Sequence, residues 1–244
     1  MKKELLKALV ADEHGDIFEL DDYAAVGTGG ATPVALTLNN TRHLPFGSEL
    51  MYLPQRWPVL LNVQSGRVET VSENPYAPGR PIFPVTAFNS PGYVISHLGT
   101  FVETPKAQAL PLFSYGAVGW HQGKFRSAVI CVDREKRQDL RLMKPEDVAT
   151  GVERMRQQMP ANRLRAHLEK CALQFGCPAA KNFFLSRYEA PLPSAQHCNA
   201  RCLGCLSLQT HSDVPHSQDR ISFTPSSQEI AEVALAHIKR VKNS

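Results

Sequence analysis

The chain has 244 residues, 43% hydrophobic and 20% charged, a composition that fits an ordinary globular protein and excludes a disordered or collagen-like one. No run of about 18 apolar residues occurs, so the sequence predicts no membrane span. The net charge of +4 is unevenly shared: residues 1–120 carry 8 Lys and Arg against 11 Asp and Glu, and residues 121–244 carry 19 against 12. The basic residues are scattered rather than gathered in a run of about five or six, so solvated helix faces explain them better than a nucleic-acid partner.

The opening "MKKELLKALVADEHGDIFEL" is basic at its start, but Asp12 and Glu13 interrupt the apolar run before the core of a signal peptide forms. The sequence therefore predicts a cytoplasmic protein with no membrane partner. In that reducing compartment, clustered cysteines serve metals or chemistry rather than structural disulfides.

Residues 1–143 are rich in Pro and Gly. Short β-favouring runs such as "GYVISHLGTFVE" and "FRSAVICVD" are separated by the turn signals "NSPG" and "HQGK", which predicts a mostly β domain. "GTGGAT", residues 27–32, lacks the glycine spacing and the Lys-Ser/Thr of a phosphate-binding loop and reads as a turn. Cys131, inside the apolar run "SAVICVD", reads as a core strand residue.

The texture changes at Lys144, and residues 144–184 read as a helical connecting region. "PEDVATGVERMRQQM" starts with a proline and two acids, and Val148, Val152, Met155 and Met159 follow helical spacing. "NRLRAHLEKCALQFG" puts Leu164, Leu168, Cys171 and Phe175 on one stripe and ends on Gly176 as a C-cap. His167 at the edge of that stripe reads as a packed or surface histidine. The spacing of Cys171 and Cys177 matches no standard ligand pair, so both read as structural thiols.

Residues 185–244 read as a strand-like segment, a cysteine loop and an amphipathic helix. The loop "CNARCLGC" holds Cys198, Cys202 and Cys205, half of the six cysteines, within eight positions. Thiolates are soft ligands suited to zinc or iron–sulfur clusters, and three in a short loop cover one face of a metal centre while leaving one coordination position open. The helix opens with Thr224-Pro225 and a Ser226 to Glu229 capping box, and Ile230, Val233, Ala234, Ile238 and Val241 form its apolar face.

The Cys-x3-Cys-x2-Cys spacing of Cys198, Cys202 and Cys205, with a helix downstream, resembles the cluster loop of radical S-adenosylmethionine enzymes. The resemblance covers residues 185–244. It implies an α+β N-terminal region followed by the start of an α/β, partial TIM-barrel-like core, with chemistry on the loop after the first strand. It further implies that the three cysteines bind three irons of a 4Fe-4S cluster, whose fourth iron holds S-adenosylmethionine, and that a flavodoxin or ferredoxin supplies the electron for its cleavage to a 5'-deoxyadenosyl radical. No substrate and no catalytic residue beyond the ligands follows from it. Two features depart from the family pattern: Gly204 replaces the aromatic residue often found before the last cysteine, and the Gly-Gly-Glu-like segment expected after the next strand does not occur before Ser244. The first means that an adenine contact must come from elsewhere or be absent, and the second leads to the expectation that the chain is a fragment. Arg201, inside the loop, reads either as a contact to an anionic group of the cofactor or as solvent-facing.

A second reading takes Cys198, Cys202 and Cys205, with His197 or His211 as a fourth ligand, as a structural zinc site in a nucleic-acid or protein-binding module. No Gly-x-Ser-x-Gly or His-Glu-x-x-His motif supports hydrolase chemistry.

Overall fold

The computed structural model describes residues 4–110, 115–200, 202, 205, 207–208 and 218–241. The chain divides into two compact units, Met1–Arg134 and Glu135–Ser244.

The first unit is built of strands β1 (Lys7–Ala11), β2 (Ile17–Ala24), β3 (Val26–Gly29), β4 (Thr32–Ala35), β5 (Arg42–His43), β6 (Glu49–Tyr52), β7 (Arg56–Asn62), β8 (Val68–Thr70), β9 (Phe83–Phe88), β10 (Tyr93–Ile95), β11 (Leu98–Gly99), β12 (Phe101–Glu103), β13 (Gly116–His121), β14 (Lys124–Ser127) and β15 (Val129–Cys131). Thirteen of them form one curled antiparallel sheet: nine follow the path β12-β7-β2-β1-β9-β13-β11-β3-β4, while β14 joins β13 and β5, β6 joins β9 and β8 joins β7; β10 pairs with β15 apart from it. The reason β1 is central lies in its sequence: "KALVA" is apolar on both faces, and only Lys7 is exposed. Val10 faces Phe18 of β2 on one side and Pro84 of β9 on the other. Asp12 closes the β1–β2 turn, its Oδ1 accepting from the backbone N–H groups of His14 and Asp16. The "GTGGAT" stretch is the turn of the β3–β4 hairpin. Cys131 lies on a strand but is only half-buried, since β15 belongs to a two-stranded ribbon in which one face stays open to solvent.

The second unit contains helices α1 (Pro145–Gln158), α2 (Arg163–Leu173), α3 (Pro178–Phe184) and α4 (Ser227–Ile238). Pro145 stands in the first turn of α1, where its missing N–H costs nothing, and Glu146 and Asp147 complement the helix dipole. Val148, Val152 and Met155 of α1 share one core with Leu164, Leu168 and Cys171 of α2, Phe183 and Phe184 of α3, and Val233 of α4.

The expected α/β barrel start is overturned. The fold is mostly antiparallel sheet, with 23% of the described residues helical, and no strand occurs between Leu185 and Ser226 among the described residues. The physical reason is in "APLP". Successive N–H groups of a strand point to opposite edges, so Pro191 and Pro193 both remove donors from the same edge, and a central parallel strand cannot form there. The aromatic pair that could have filled such a strand, Phe183 and Phe184, is buried at the end of α3 instead.

The N-termini of α2 and α4 are tied together. Asn162 caps α2, its Oδ1 accepting from the N–H of Arg165 at 2.8 Å, while its Nδ2 donates to the Glu229 carbonyl at 3.0 Å and to Glu232 Oε2 at 2.8 Å. Glu229 completes the capping box of α4 and accepts a two-pronged contact from the Arg163 guanidinium. Asn162 is buried, so Asn162→Ala removes a cap and strands polar groups; it is expected to cost about 2 kcal/mol in urea unfolding.

The Arg163 guanidinium, then the Ser226 N–H, hold the Glu229 carboxyl well below its ordinary value of 4.5. A carboxyl lowered on folding adds stability that is complete above the unfolded value and is lost as pH falls through the folded one. Unfolding midpoints measured downward from about pH 5 should therefore fall more steeply for the natural chain than for Glu229→Gln. Identical slopes would show that the contact contributes nothing.

Candidate metal centre

The cysteines of interest meet at one cavity of about 640 Å³ in the second unit. Three of its sides come from different parts of the chain: α2 with the Cys177 approach to α3, the extended stretch through Pro191 and Pro193, and the segment Gln218–Ile221. Cys198, Cys202 and Cys205 all line it, the first two exposed and the third half-buried. All six cysteines are thiols rather than disulfides.

Proline makes this arrangement possible. Residues 191–198 lack regular structure among the described residues, and Pro191 and Pro193 hold the backbone extended along the cavity wall. Near the far end of the loop, Arg220 donates from Nη2 to Cys205 Sγ at 3.6 Å and from Nε to Ser207 Oγ at 3.3 Å. The Cys205 thiol is held below the ordinary cysteine range, first by the backbone N–H of Ser207, and further by the Ser207 hydroxyl, the Leu208 N–H and the Arg220 guanidinium. At the start of the loop the Ala200 N–H donates to Cys198 Sγ at 3.4 Å.

The cavity also holds two thiols that the sequence set apart. Cys171 and Cys177 line it together with His167 and His197. Cys171 Sγ lies 3.6 Å from His167 Nε2, and the Cys177 N–H donates to the Cys171 carbonyl. Burial pushes the Cys171 thiol up to about 11 and holds the His167 imidazole below its ordinary value. Both therefore stay neutral near neutral pH. Lys170 and Asp219 form an ion pair beside them. The helical offset of His167 and Cys171 is a local signal for their contact; the approach of α2 to the cysteine loop, dozens of residues later, leaves no trace in local spacing. Arg220 carries no motif at all.

The donor chemistry fits an iron–sulfur cluster or zinc: thiols dominate the polar lining, and its single carboxylate, Asp219, is engaged by Lys170. The arrangement is not closed around an ion. Among the described residues no group of three or more His, Cys, Asp or Glu is placed to hold a metal. Arg201, Gly204 and His211 lie outside the described residues. Among the described residues no helix is long and apolar enough to cross a membrane.

The unequal thiols give a direct check. Iodoacetamide at about pH 7 should label Cys205 well before Cys171, because only the thiolate attacks and Cys171 is both buried and protonated. Peptide mass spectrometry over time reads the order; faster labelling at Cys171 would refute this account of the cavity.

Compared with protein-family models, with curated proteins and with solved structures, the chain finds no match.

Proposed function

We propose that the loop of Cys198, Cys202 and Cys205 binds a 4Fe-4S cluster together with S-adenosylmethionine, and that the chain is part of a cytoplasmic radical S-adenosylmethionine protein. The observation that carries this reading is the x3/x2 triplet of thiols on the wall of a single cavity, with one of them, Cys205, already biased towards thiolate by Ser207 and Arg220. Three ligands for four irons leave one iron for a small chelating molecule. When bound, the cluster would supply one electron, received from a flavodoxin or ferredoxin, to the sulfonium of S-adenosylmethionine, yielding methionine and a 5'-deoxyadenosyl radical.

The chain's own groups have separate tasks in this scheme. Cys198, Cys202 and Cys205 hold the irons. The Arg220 guanidinium offsets thiolate charge at Cys205 and fixes that end of the loop. Pro191, Leu192 and Pro193 supply apolar lining to the cavity. The substrate would be set by residues other than these.

The test is anaerobic reconstitution of the chain with iron and sulfide, then metal analysis and EPR after dithionite reduction, with and without S-adenosylmethionine. About four irons and four sulfides per chain, with a signal changed by S-adenosylmethionine, is the expected result. A second reading, a structural zinc site, draws on His197, which lines the same cavity as the three loop thiols and would complete a Cys3His set. One tightly held zinc and no iron chromophore would replace the first reading with the second.

A further inference from the structure

A second cavity, of about 740 Å³, lies wholly within the β unit. It is lined by the turn Leu38–His43, by Ser96 and His97, and by Arg126 on β14. Its charged and titratable side chains are Arg42, His43, His97 and Arg126, and no Asp or Glu contributes to the lining. Among the described residues neither arginine has a carboxylate partner within ion-pair distance, whereas Arg56, Arg141, Arg156, Arg163 and Arg165 all do. Other described arginines, such as Arg67 and Arg154, also lack an ion pair, so the weight falls on the gathering of two arginines and two histidines in one acid-free concavity.

The groups are held in place by the fold. Strands β5 and β14 pair so that Arg126 faces His43 and Ser127 faces Arg42. The Arg126 guanidinium donates from Nε to Thr41 Oγ1 at 3.0 Å, and from Nη2 to the carbonyls of Leu38 at 3.2 Å and Thr41 at 2.8 Å. Among the described residues these are its bonds, and they leave the Nη1 donors for another partner. The turn beneath is pinned in its own right: Asn40 Oδ1 accepts from the Thr37 N–H at 2.7 Å, and Thr41 Oγ1 donates to the Thr37 carbonyl at 2.6 Å. Ser96 Oγ lies 3.0 Å from His97 Nδ1, and the Cδ2–Nε2 edge of the ring lies towards Gly29.

The glycine run "GTGG" takes part as well. A Cβ at Gly29 would stand 3.1 Å from His97 Cδ2 and 3.3 Å from its Nε2, so the bare strand makes room for the imidazole. Gly29 acts only through the ring it accommodates, since the cavity lining includes no residue of β3.

We infer that this cavity binds the phosphoryl group of a small molecule of about mononucleotide size, through Arg42, His43, His97 and Arg126. Planar guanidinium groups offer paired donors to tetrahedral oxyanions, the two imidazoles add ring N–H donors, and the pinned turn lowers the ordering cost of binding. The volume lies within the range of small-molecule pockets and exceeds the needs of a lone phosphate.

The test is calorimetric titration of the full chain at constant ionic strength with pyrophosphate, AMP, adenosine and citrate. Saturable binding of pyrophosphate and AMP, with none of adenosine, is expected. Arg42→Gln, at an exposed position, should weaken AMP binding about ten- to hundredfold with an unchanged melting temperature, and His97→Gln should weaken it independently. Absence of saturable binding to pyrophosphate and AMP overturns the assignment. So does equal affinity in Arg42→Gln, adenosine binding as well as AMP, or citrate binding more tightly than pyrophosphate. None of these readouts involves iron, so the outcome is separate from that of the cysteine loop.

Discussion

Replacing Cys202 with Ala is expected to reduce iron and sulfide after reconstitution from about four of each per chain to background. The same loss is expected for Cys198→Ala and Cys205→Ala. A cluster held by three cysteines has no redundant ligand, and the neighbouring thiols are poor substitutes. Cys171 borders the cavity, but burial pushes its thiol up to about 11, so it stays protonated at neutral pH. It sits on α2 with its side chain in the helical core, so it cannot swing into the loop without emptying that core. Cys171→Ala and Cys131→Ala are therefore expected to retain iron. Cys177→Ala is the sharper control: Cys177 lines the cavity from the start of α3 and is only half-buried. Iron retained there, and lost in each of the three loop variants, assigns the ligands; iron retained in all three loop variants rejects them.

The contrast between what local sequence revealed and what it concealed follows from the range of the forces involved. Helices α1, α2 and α4 were legible because their determinants are local: Pro145 and two acids, an asparagine before "RLRAHL", and the Ser226–Glu229 box each act within one turn. Gly176, read as the C-cap, marks the exit from α2 at φ +66° but stands two residues beyond the C-cap itself, Gln174. Strands were legible as runs, yet their order in the sheet, with β1 between β2 and β9, depends on pairings that no window contains. The barrel expectation failed because family spacing was extended from a loop to its surroundings, while Pro191 and Pro193 already spoke against a paired strand. At the site, the triplet Cys198, Cys202 and Cys205 was plain in sequence. Its neighbours Cys171, Cys177 and Arg220 reach it only through helix packing and a return of the chain.

Helix packing also makes Gly151→Ala an instructive substitution. On propensity alone it should stabilise α1 by about 1 kcal/mol, since glycine is a poor interior helix residue. The structure argues the reverse. A Cβ at this position would overlap the carbonyl oxygen of Phe184 and stand 2.7 Å from its carbonyl carbon, closer than real Cβ atoms come. That carbonyl is not at liberty to retreat, because it accepts from Arg154 Nη2 at 2.8 Å, and the Phe184 ring is fully buried in the core. Overpacking against fixed backbone costs about 1–3 kcal/mol or more, which outweighs the propensity gain. All four α-helices lie in the second unit, so melting followed at the helical circular-dichroism band isolates the effect, with a midpoint lowered by about 4–8 °C for each kcal/mol lost. Thr150→Ala, one residue away on the exposed side of α1, should be near neutral, since it trades a local hydroxyl bond to the Glu146 carbonyl at 2.8 Å for a better helix propensity and touches no other element. If Gly151→Ala melts no lower than Thr150→Ala, then α1 and the end of α3 do not approach as closely as the glycine implies. The wall that carries Cys177 would then rest on a looser support.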